Sequence, residues 1–245
     1  MSMSKPSMVA IRRVSRFAGL LAGAALCIGA SPGFAADANH PTVVELFQSQ
    51  GCSSCPPANA NVNALSERSD VLALSFAVTY WDSLGWKDTF AKPQFTNRQY
   101  AYAHAIRQGS VYTPQVIING RLEGVGAERG EIEALIRQGE RPAAGPTIAI
   151  AGDAAEIGAA AAPIAPADVW LVRYESRTID VPVLRGENAG KTLAHRNIVR
   201  ELVRLGSWSG QAERFALPAS SDAGLASAVL VQAPGTGPIL AAAKG

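Results

Sequence analysis

Pro41-Thr-Val-Val-Glu-Leu-Phe47, the loop Gln48-Ser-Gln-Gly51 and the run Cys52-Ser-Ser-Cys-Pro-Pro57 decide how this chain is read. The first run is apolar and β-branched, the mark of a buried strand. From Pro56 to Arg68 the residues Ala58, Val62 and Leu65 fall on one side of a helix, and Val71–Val78 is a second apolar strand. Strand, helix, strand predicts a parallel βαβ unit with a right-handed crossover. Cys52 and Cys55 therefore stand where a strand hands over to a helix.

Downstream, Tyr80 to Ser110 is polar and aromatic and reads as one or two helices inserted before the sheet resumes. Val111-Tyr112-Thr113-Pro114 leads into a strand, Gln115–Asn119. Asn119-Gly120 is a strong two-residue hairpin signal, because both residues accept positive φ. Arg121–Val125 is the returning strand, and Ala127–Gln138 a closing helix with Ile132, Leu135 and Ile136 along one face. Together these elements predict an α/β, thioredoxin-like domain with a helical insertion over residues 41–140. Gly139–Gly145 has a linker's composition. Beyond it, Thr147–Ala151, Val169–Tyr174, Thr178–Val183 and Ala228–Gln232 are short runs separated by Gly, Pro and Asn. They predict a smaller β-rich, sandwich-like domain over residues 146–245. Ile198–Leu205 fits a helix face or a strand, and its neighbours favour strand; alanine-rich Ala154–Ala162 reads as a loop.

Residues 1–36 read as a signal peptide. Lys5, Arg12, Arg13 and Arg16 precede an apolar run from Phe17 to Ala30, and small residues at Ser31–Ala36 offer a cleavage site. The run is short for a membrane span, which needs about 20 apolar residues, so no stable membrane insertion is expected after cleavage. The whole chain carries a net charge of +2, but losing those four cations leaves 18 basic against 20 acidic side chains. A near-neutral mature chain has no electrostatic footprint for nucleic acid or an anionic membrane. Cys27 leaves with the apolar run. The remaining pair, in a periplasmic or secreted chain, can be oxidised and stay so.

A disulfide across two intervening residues closes a very small loop and is a weak entropic staple. That argues for thiol chemistry, with Cys52 the nucleophile at the helix end and Cys55 the resolving thiol. Pro56 and Pro57 weaken the case, since neither has an amide to offer an anion. The residues leave three readings open: redox exchange, a structural disulfide, or a metal site completed by His40, His104 or His195. Zinc wants four ligands, and each histidine reads as a surface residue, so neither metal nor cofactor is expected. A thioredoxin-like outline puts a cis-proline opposite the pair, which assigns substrate binding to Thr113 and Pro114. Glu45, on an otherwise apolar strand, is the candidate proton relay to the resolving thiol, or else a solvent-facing edge residue. Trp81, Trp86 and Asp82 either wall a groove beside the pair or pack the insertion.

Val44-Glu45-Leu46-Phe47, Ser49 to Pro57, Tyr80-Trp81-Asp82, Leu84-Gly85-Trp86-Lys87-Asp88, Val111 to Gln115, Asn119-Gly120, Arg185-Gly186-Glu187-Asn188 and Gly237-Pro238-Ile239-Leu240 carry a resemblance. Together they resemble the bacterial family called domain of unknown function 1223, secreted thioredoxin-like proteins. The resemblance implies the fold and export. It departs at Ala77 and Thr79, where relatives carry a histidine and an aspartate. The function expected is that of an exported thiol-disulfide oxidoreductase-like protein, with extracytoplasmic protein thiols or disulfides as partners. The alternative is a non-catalytic binding protein whose disulfide only holds a loop. Intact-mass measurement on the extracytoplasmic fraction is expected to place the mature N-terminus between Ser31 and Asn39; retention of Met1 or Ser2 refutes cleavage.

Overall fold

The computed structural model describes residues 1–3, 36–139, 145–220 and 222–245. Residues 4–35 of the expected signal peptide and the centre of the expected linker lie outside the described residues. The chain divides into two compact units, Met1–Pro32 and Gly33–Gly245, and the second carries every element below.

Its first half follows the predicted order closely: β1 (Thr42–Gln48), α1 (Cys55–Leu65), β2 (Val71–Ala77), a 3-10 turn at Asp82–Leu84, α2 (Pro93–Ala105), β3 (Gln115–Ile118), β4 (Leu122–Gly124) and α3 (Arg129–Gln138). β1 and β2 are parallel, and β3 runs antiparallel to β1. Every residue of β1 and β2 is buried, which is why both read as mainly apolar runs rather than alternating ones. α1 and α3 cover one face, where Val44, Leu46, Ala58, Val62, Ala73, Val116 and Ile132 pack. α2 covers the other, with Phe95 and Tyr102 on Val43, Phe47, Leu74 and Phe76. Asn119 (φ 49°) and Gly120 (φ 66°) make the hairpin turn as predicted. A Cβ on Gly120 would meet the Gly237 carbonyl at 2.5 Å, so glycine is required twice over there.

The second half contains β5 (Ile148–Ala151), β6 (Ala154–Ile157), β7 (Ala167–Glu175), β8 (Ile179–Pro182), β9 (Thr192–His195), β10 (Ile198–Trp208), β11 (Glu213–Ala216), β12 (Ala226–Gln232) and β13 (Ile239–Lys244). These strands are not a separate sheet system from the first half. β10 joins β2 through Ile198 against Ser75, giving one eight-stranded mixed sheet in the order β13-β12-β7-β10-β2-β1-β3-β4. One core runs under both halves, with Val172, Val199, Leu202 and Leu230 continuing the cluster of Phe47 and Phe76. A three-stranded sheet, β11-β6-β5, packs through Ala155, Ile157 and Phe215 on Leu171, Trp208 and Val229. The stretch read as an alanine loop thus contains β6. Alanine favours strands little on its own, and pairing with β5 and β11 decides the matter. β8 and β9 form a separate hairpin.

Glu45 sits in the middle of this sheet, fully buried. The Arg98 Nε donates to its Oε1 at 2.7 Å, and the Tyr102 hydroxyl donates to Oε2. Arg98 Nη2 also donates to Gln232 Oε1 at 3.1 Å, so β1, α2 and β12 meet in one buried network. Glu45 pushes the guanidinium pKa upward and keeps it charged despite its burial. Removing one partner of such a pair strands the other charge in the core, at a cost of about 3–5 kcal/mol. Urea unfolding is expected to show that loss for Arg98→Met and recovery of most of it when Glu45→Leu is added. Equal stability of the single and double variants refutes the pairing.

Candidate functional site

β1 ends at Gln48, and the chain turns through Ser49-Gln50-Gly51 into the cysteine pair. The turn is closed by the Cys52 amide on the Ser49 carbonyl at 3.1 Å and the Cys55 amide on the Cys52 carbonyl at 3.2 Å. Cys52 and Cys55 form a disulfide with Cα atoms 5.4 Å apart. Ser54 is the N-cap of α1 but its side chain caps nothing, and prolines fill the first helical turn. Pro56 and Pro57 remove two of the amides that a helix N-terminus usually presents to an anion. The helix end is therefore a poor donor toward Cys52.

Both cysteines are buried: the outer one, Cys52, is 0% exposed, and Cys55, on α1, is 2% exposed. Exposure does not distinguish them. Ser53 and Ser54 between them are exposed, so the bridge of the loop faces solvent while the sulfurs lie beneath it. The Ser54 hydroxyl is 3.3 Å from Cys52 Sγ and donates to the Thr113 carbonyl at 3.4 Å. The Thr113–Pro114 peptide bond is cis, and Ser54 links that segment to the pair. Trp81 donates its indole N–H to the Thr113 hydroxyl at 2.7 Å, and Trp86 donates to Gln50 Oε1 at 2.9 Å. Both tryptophans are thus beside the cysteine loop.

The loop is also held from far along the chain. Asn188, buried between β8 and β9, donates its amide to the carbonyls of Gln50 and Cys52, both at 2.9 Å. Glu187 accepts the Ser53 amide at 3.0 Å, and its hydrogen bonds with Ser53 hold the Glu187 carboxyl below its ordinary value. Asp88 accepts the Gln50 amide at 2.7 Å and the Phe90 amide at 2.8 Å. Sequence reasoning gave no chemistry to Asp88, Glu187 or Asn188, although they stand in runs shared with the resembled family.

Glu45 does not serve the pair. Side chains alternate across β1, so Glu45 shares a face with Val43 and Phe47 toward α2, whereas α1 and Cys55 cover the face of Val44 and Leu46. Its carboxylate is spent on Arg98 and Tyr102. The histidines correct differently. His40 is exposed and pairs with Asp37 at 3.2 Å, and His104 lies in the last turn of α2. His195, read as a surface residue, is fully buried, with its ring edge-on to Phe90 at 5.9 Å. Among the described residues no three His, Cys, Asp or Glu side chains form a metal-holding group. Among them also, no helix is long and apolar enough to cross a membrane.

A family model described as "Protein of unknown function (DUF1223)" matches residues 43–232, from β1 to the end of β12. The chain belongs to the DUF1223 family. Among solved structures, it is similar to the X-ray crystal structure of an Agrobacterium tumefaciens protein determined as a structural-genomics target. The two are 34% identical with a TM-score of 0.68, over 83% of this chain and 92% of that one. HBP35 of Porphyromonas gingivalis shares the fold at 14% identity and a TM-score of 0.57, over 84% of this chain and 75% of that one. No curated protein matches.

Burial pushes the Asp88 carboxyl up to about 6, against the amide hydrogen bonds that favour its anion. A carboxyl that holds its proton more tightly in the folded chain contributes stability at low pH, and that contribution is lost as pH rises through its folded pKa. The window runs from about 4 to about 6, and the shift corresponds to about 3 kcal/mol. Measured against Asp88→Asn by urea unfolding, the native protein is expected to lose about that much between pH 4 and pH 7. A difference that stays constant across this range refutes the assignment.

Proposed function

We propose that this DUF1223 protein is an exported thiol-disulfide oxidoreductase of thioredoxin-like fold, exchanging disulfides with extracytoplasmic protein substrates through Cys52 and Cys55. The observation that carries the reading is the Cys52–Cys55 disulfide at the start of α1, directly after the central strand β1. Such a disulfide closes a loop too small to stabilise much, so its placement at the strand-helix junction is better explained by chemistry. Further support comes from the order β2-β1-β3-β4 with β1 and β2 parallel and β3 reversed, and from Thr113 within reach of the pair through Ser54. In this reading a substrate thiolate attacks Cys52, the Cys52–Cys55 bond breaks, and a mixed disulfide forms at Cys52. Cys55 resolves it in the reverse direction. Thr113 and Pro114 shape the substrate edge, and the reaction needs no cofactor. The apolar run and cleavage site of residues 1–36 support a periplasmic or secreted location.

A second reading has its own observation: both sulfurs are buried and the loop over them is tied down by Asn188 and Glu187. That arrangement also suits a non-catalytic binding protein with a structural disulfide. A glutathione redox titration separates the two. Ready equilibration, between roughly −270 and −120 mV, is expected for the oxidoreductase, together with mixed disulfides trapped on Cys52 by Cys55→Ser and few by Cys52→Ser. Resistance to glutathione until the fold melts, with no trapping by either variant, establishes the structural disulfide instead.

A further inference from the structure

On the α1 face of the sheet, the rows of β1 and β2 are apolar at Val44, Leu46, Val71 and Ala73 and turn polar at their carboxyl ends. Leu46 pairs with Ser75, and Gln48 with Ala77, so Gln48 and Ser75 are diagonal neighbours on that face. α1 lies over them and presents Cys55, Ala58, Asn59, Val62 and Leu65 to the sheet. Asn59 is one helical turn beyond Cys55, so the two side chains are about 6 Å apart along one face. The end of β9 closes the third side. Asn59 and Asn63 both donate to the Ala194 carbonyl at 2.8 Å, and Asn59 Nδ2 is 3.2 Å from His195 Nδ1. Asn197 ties the same segment to β2 through the Ala73 carbonyl at 2.8 Å.

Among the described residues, four buried side-chain atoms have no hydrogen-bond partner: Gln48 Nε2, Asn59 Oδ1, Ser75 Oγ and His195 Nε2. Asn59 and His195 touch each other one helical turn from Cys55, and Gln48 and Ser75 lie at the polar end of the sheet rows that α1 covers. Their chemistry is lopsided. Gln48 Nε2 donates, and Ser75 Oγ can. The Asn59 amide nitrogen, fixed on the Ala194 carbonyl, turns its second proton to His195 Nδ1, so that nitrogen accepts and the ring proton sits on Nε2. Burial pushes the imidazole down to about 4, so the ring is uncharged at neutral pH. Three buried donors without an acceptor are costly, about 1–3 kcal/mol each, unless some state of the protein provides one. A disulfide sulfur accepts hydrogen bonds weakly; a thiolate is a full anion.

We propose that Cys55 leaves the disulfide as a thiolate held by these buried donors, His195 Nε2–H foremost, with Asn59 the positioning residue that sets the ring's tautomer. The step balances without an outside reagent. A substrate thiolate attacks Cys52 Sγ, a new S–S bond forms there, and the electron pair of the Cys52–Cys55 bond passes to Cys55. A second substrate thiol then displaces Cys52, so the substrate dithiol is oxidised and the protein disulfide reduced. The use of the pocket rests on the exchange reading, since a disulfide that never opens releases no thiolate. The charged groups on surrounding elements face elsewhere: Asp88 to the Gln50 and Phe90 amides, Glu187 to Ser53, Lys191 to Asn188, Arg196 to Glu67 and Arg200 to Asp222. The helix end, with two amides lost to proline, leaves these neutral donors as the principal stabilisers of an anion at Cys55.

The pocket is tested in a Cys52→Ser protein, where Cys55 is a free thiol and its alkylation rate against pH is read by peptide mass spectrometry. Its half-point is expected at least one pH unit below the ordinary thiol value of about 8.5. Adding His195→Phe is expected to raise the half-point by about one unit, tenfold less thiolate near neutrality. His195→Gln, which keeps an N–H in place of Nε2, is expected to stay close to the parent. An ordinary half-point in the parent, or one that His195→Phe does not move, overturns the proposal. The native chain provides a check that needs no variant. With ¹⁵N-labelled histidine, the His195 Nε2 resonance is expected to move when a phosphine reduces the disulfide, while those of His40 and His104 stay. A His195 resonance indifferent to reduction overturns the proposal. The exchange reading fails separately: a low Cys55 half-point beside a disulfide that resists glutathione upholds the pocket and sinks the exchange.

Discussion

A carboxylate buried inside a mixed sheet has to be neutralised where it stands, and Glu45 sets that requirement at the centre of this protein. Its answer comes from Arg98, which brings α2 against the sheet face, and Arg98 in turn takes Gln232 from the far end of the chain. The same guanidinium lies over the rings of Phe76, Tyr102 and Trp170. Three elements separated by up to 187 residues of sequence (Glu45 to Gln232) are fixed to one another by this network. The polar contacts lie within the apolar cluster of Phe47, Phe95 and Leu230. The core therefore has a specified arrangement as well as a driving force.

The cysteine loop depends on the same long-range closure. Of the side chains that hold it, Asp88 and Trp86 follow β2, while Glu187 and Asn188 come from the β8–β9 hairpin. The loop is accordingly a junction of three chain segments, two of which are irregular. Polar groups that arrive from a distance satisfy backbone amides and carbonyls of an irregular loop that pairs with no strand.

The elements that were legible in the sequence are those whose reason is local. β1 and β2 are buried on both faces and show it as apolar runs; α1 and α3 show one apolar side; Asn119-Gly120 announces its turn through backbone conformation. What was hidden depends on partners. β6 is Ala154-Ala155-Glu156-Ile157, half alanine and too short to show alternation. The joining of β10 to β2 is backbone pairing plus one asparagine, Asn197, and no local pattern marks it. Of the site, the cysteines and Thr113–Pro114 could be named from spacing. Glu45 was noticed for a sound reason, being a charge in a buried strand, but strand parity points it to Arg98 and away from α1. His195 stands in Thr-Leu-Ala-His, four residues of ordinary surface composition, and only the tertiary fold buries it. Asn59, at the fourth position after Cys55, was visible in principle as a polar residue on the buried side of a predicted helix.

The pairing of β10 beside β2 bears on where this polypeptide can be divided. A break in the 140–145 region looks natural by composition, yet it would leave β2 as the outermost strand of its sheet. β2 is Val-Leu-Ala-Leu-Ser-Phe-Ala, buried along its whole length, with no lysine, proline or bulge to discourage a neighbour. Natural edge strands carry such protections because an unprotected apolar edge recruits other chains. Here the protection is supplied in another way, by strands β10, β7, β12 and β13 continuing the sheet beyond β2. The C-terminal strands thus act as a shield against self-association for the strands that frame the cysteine loop.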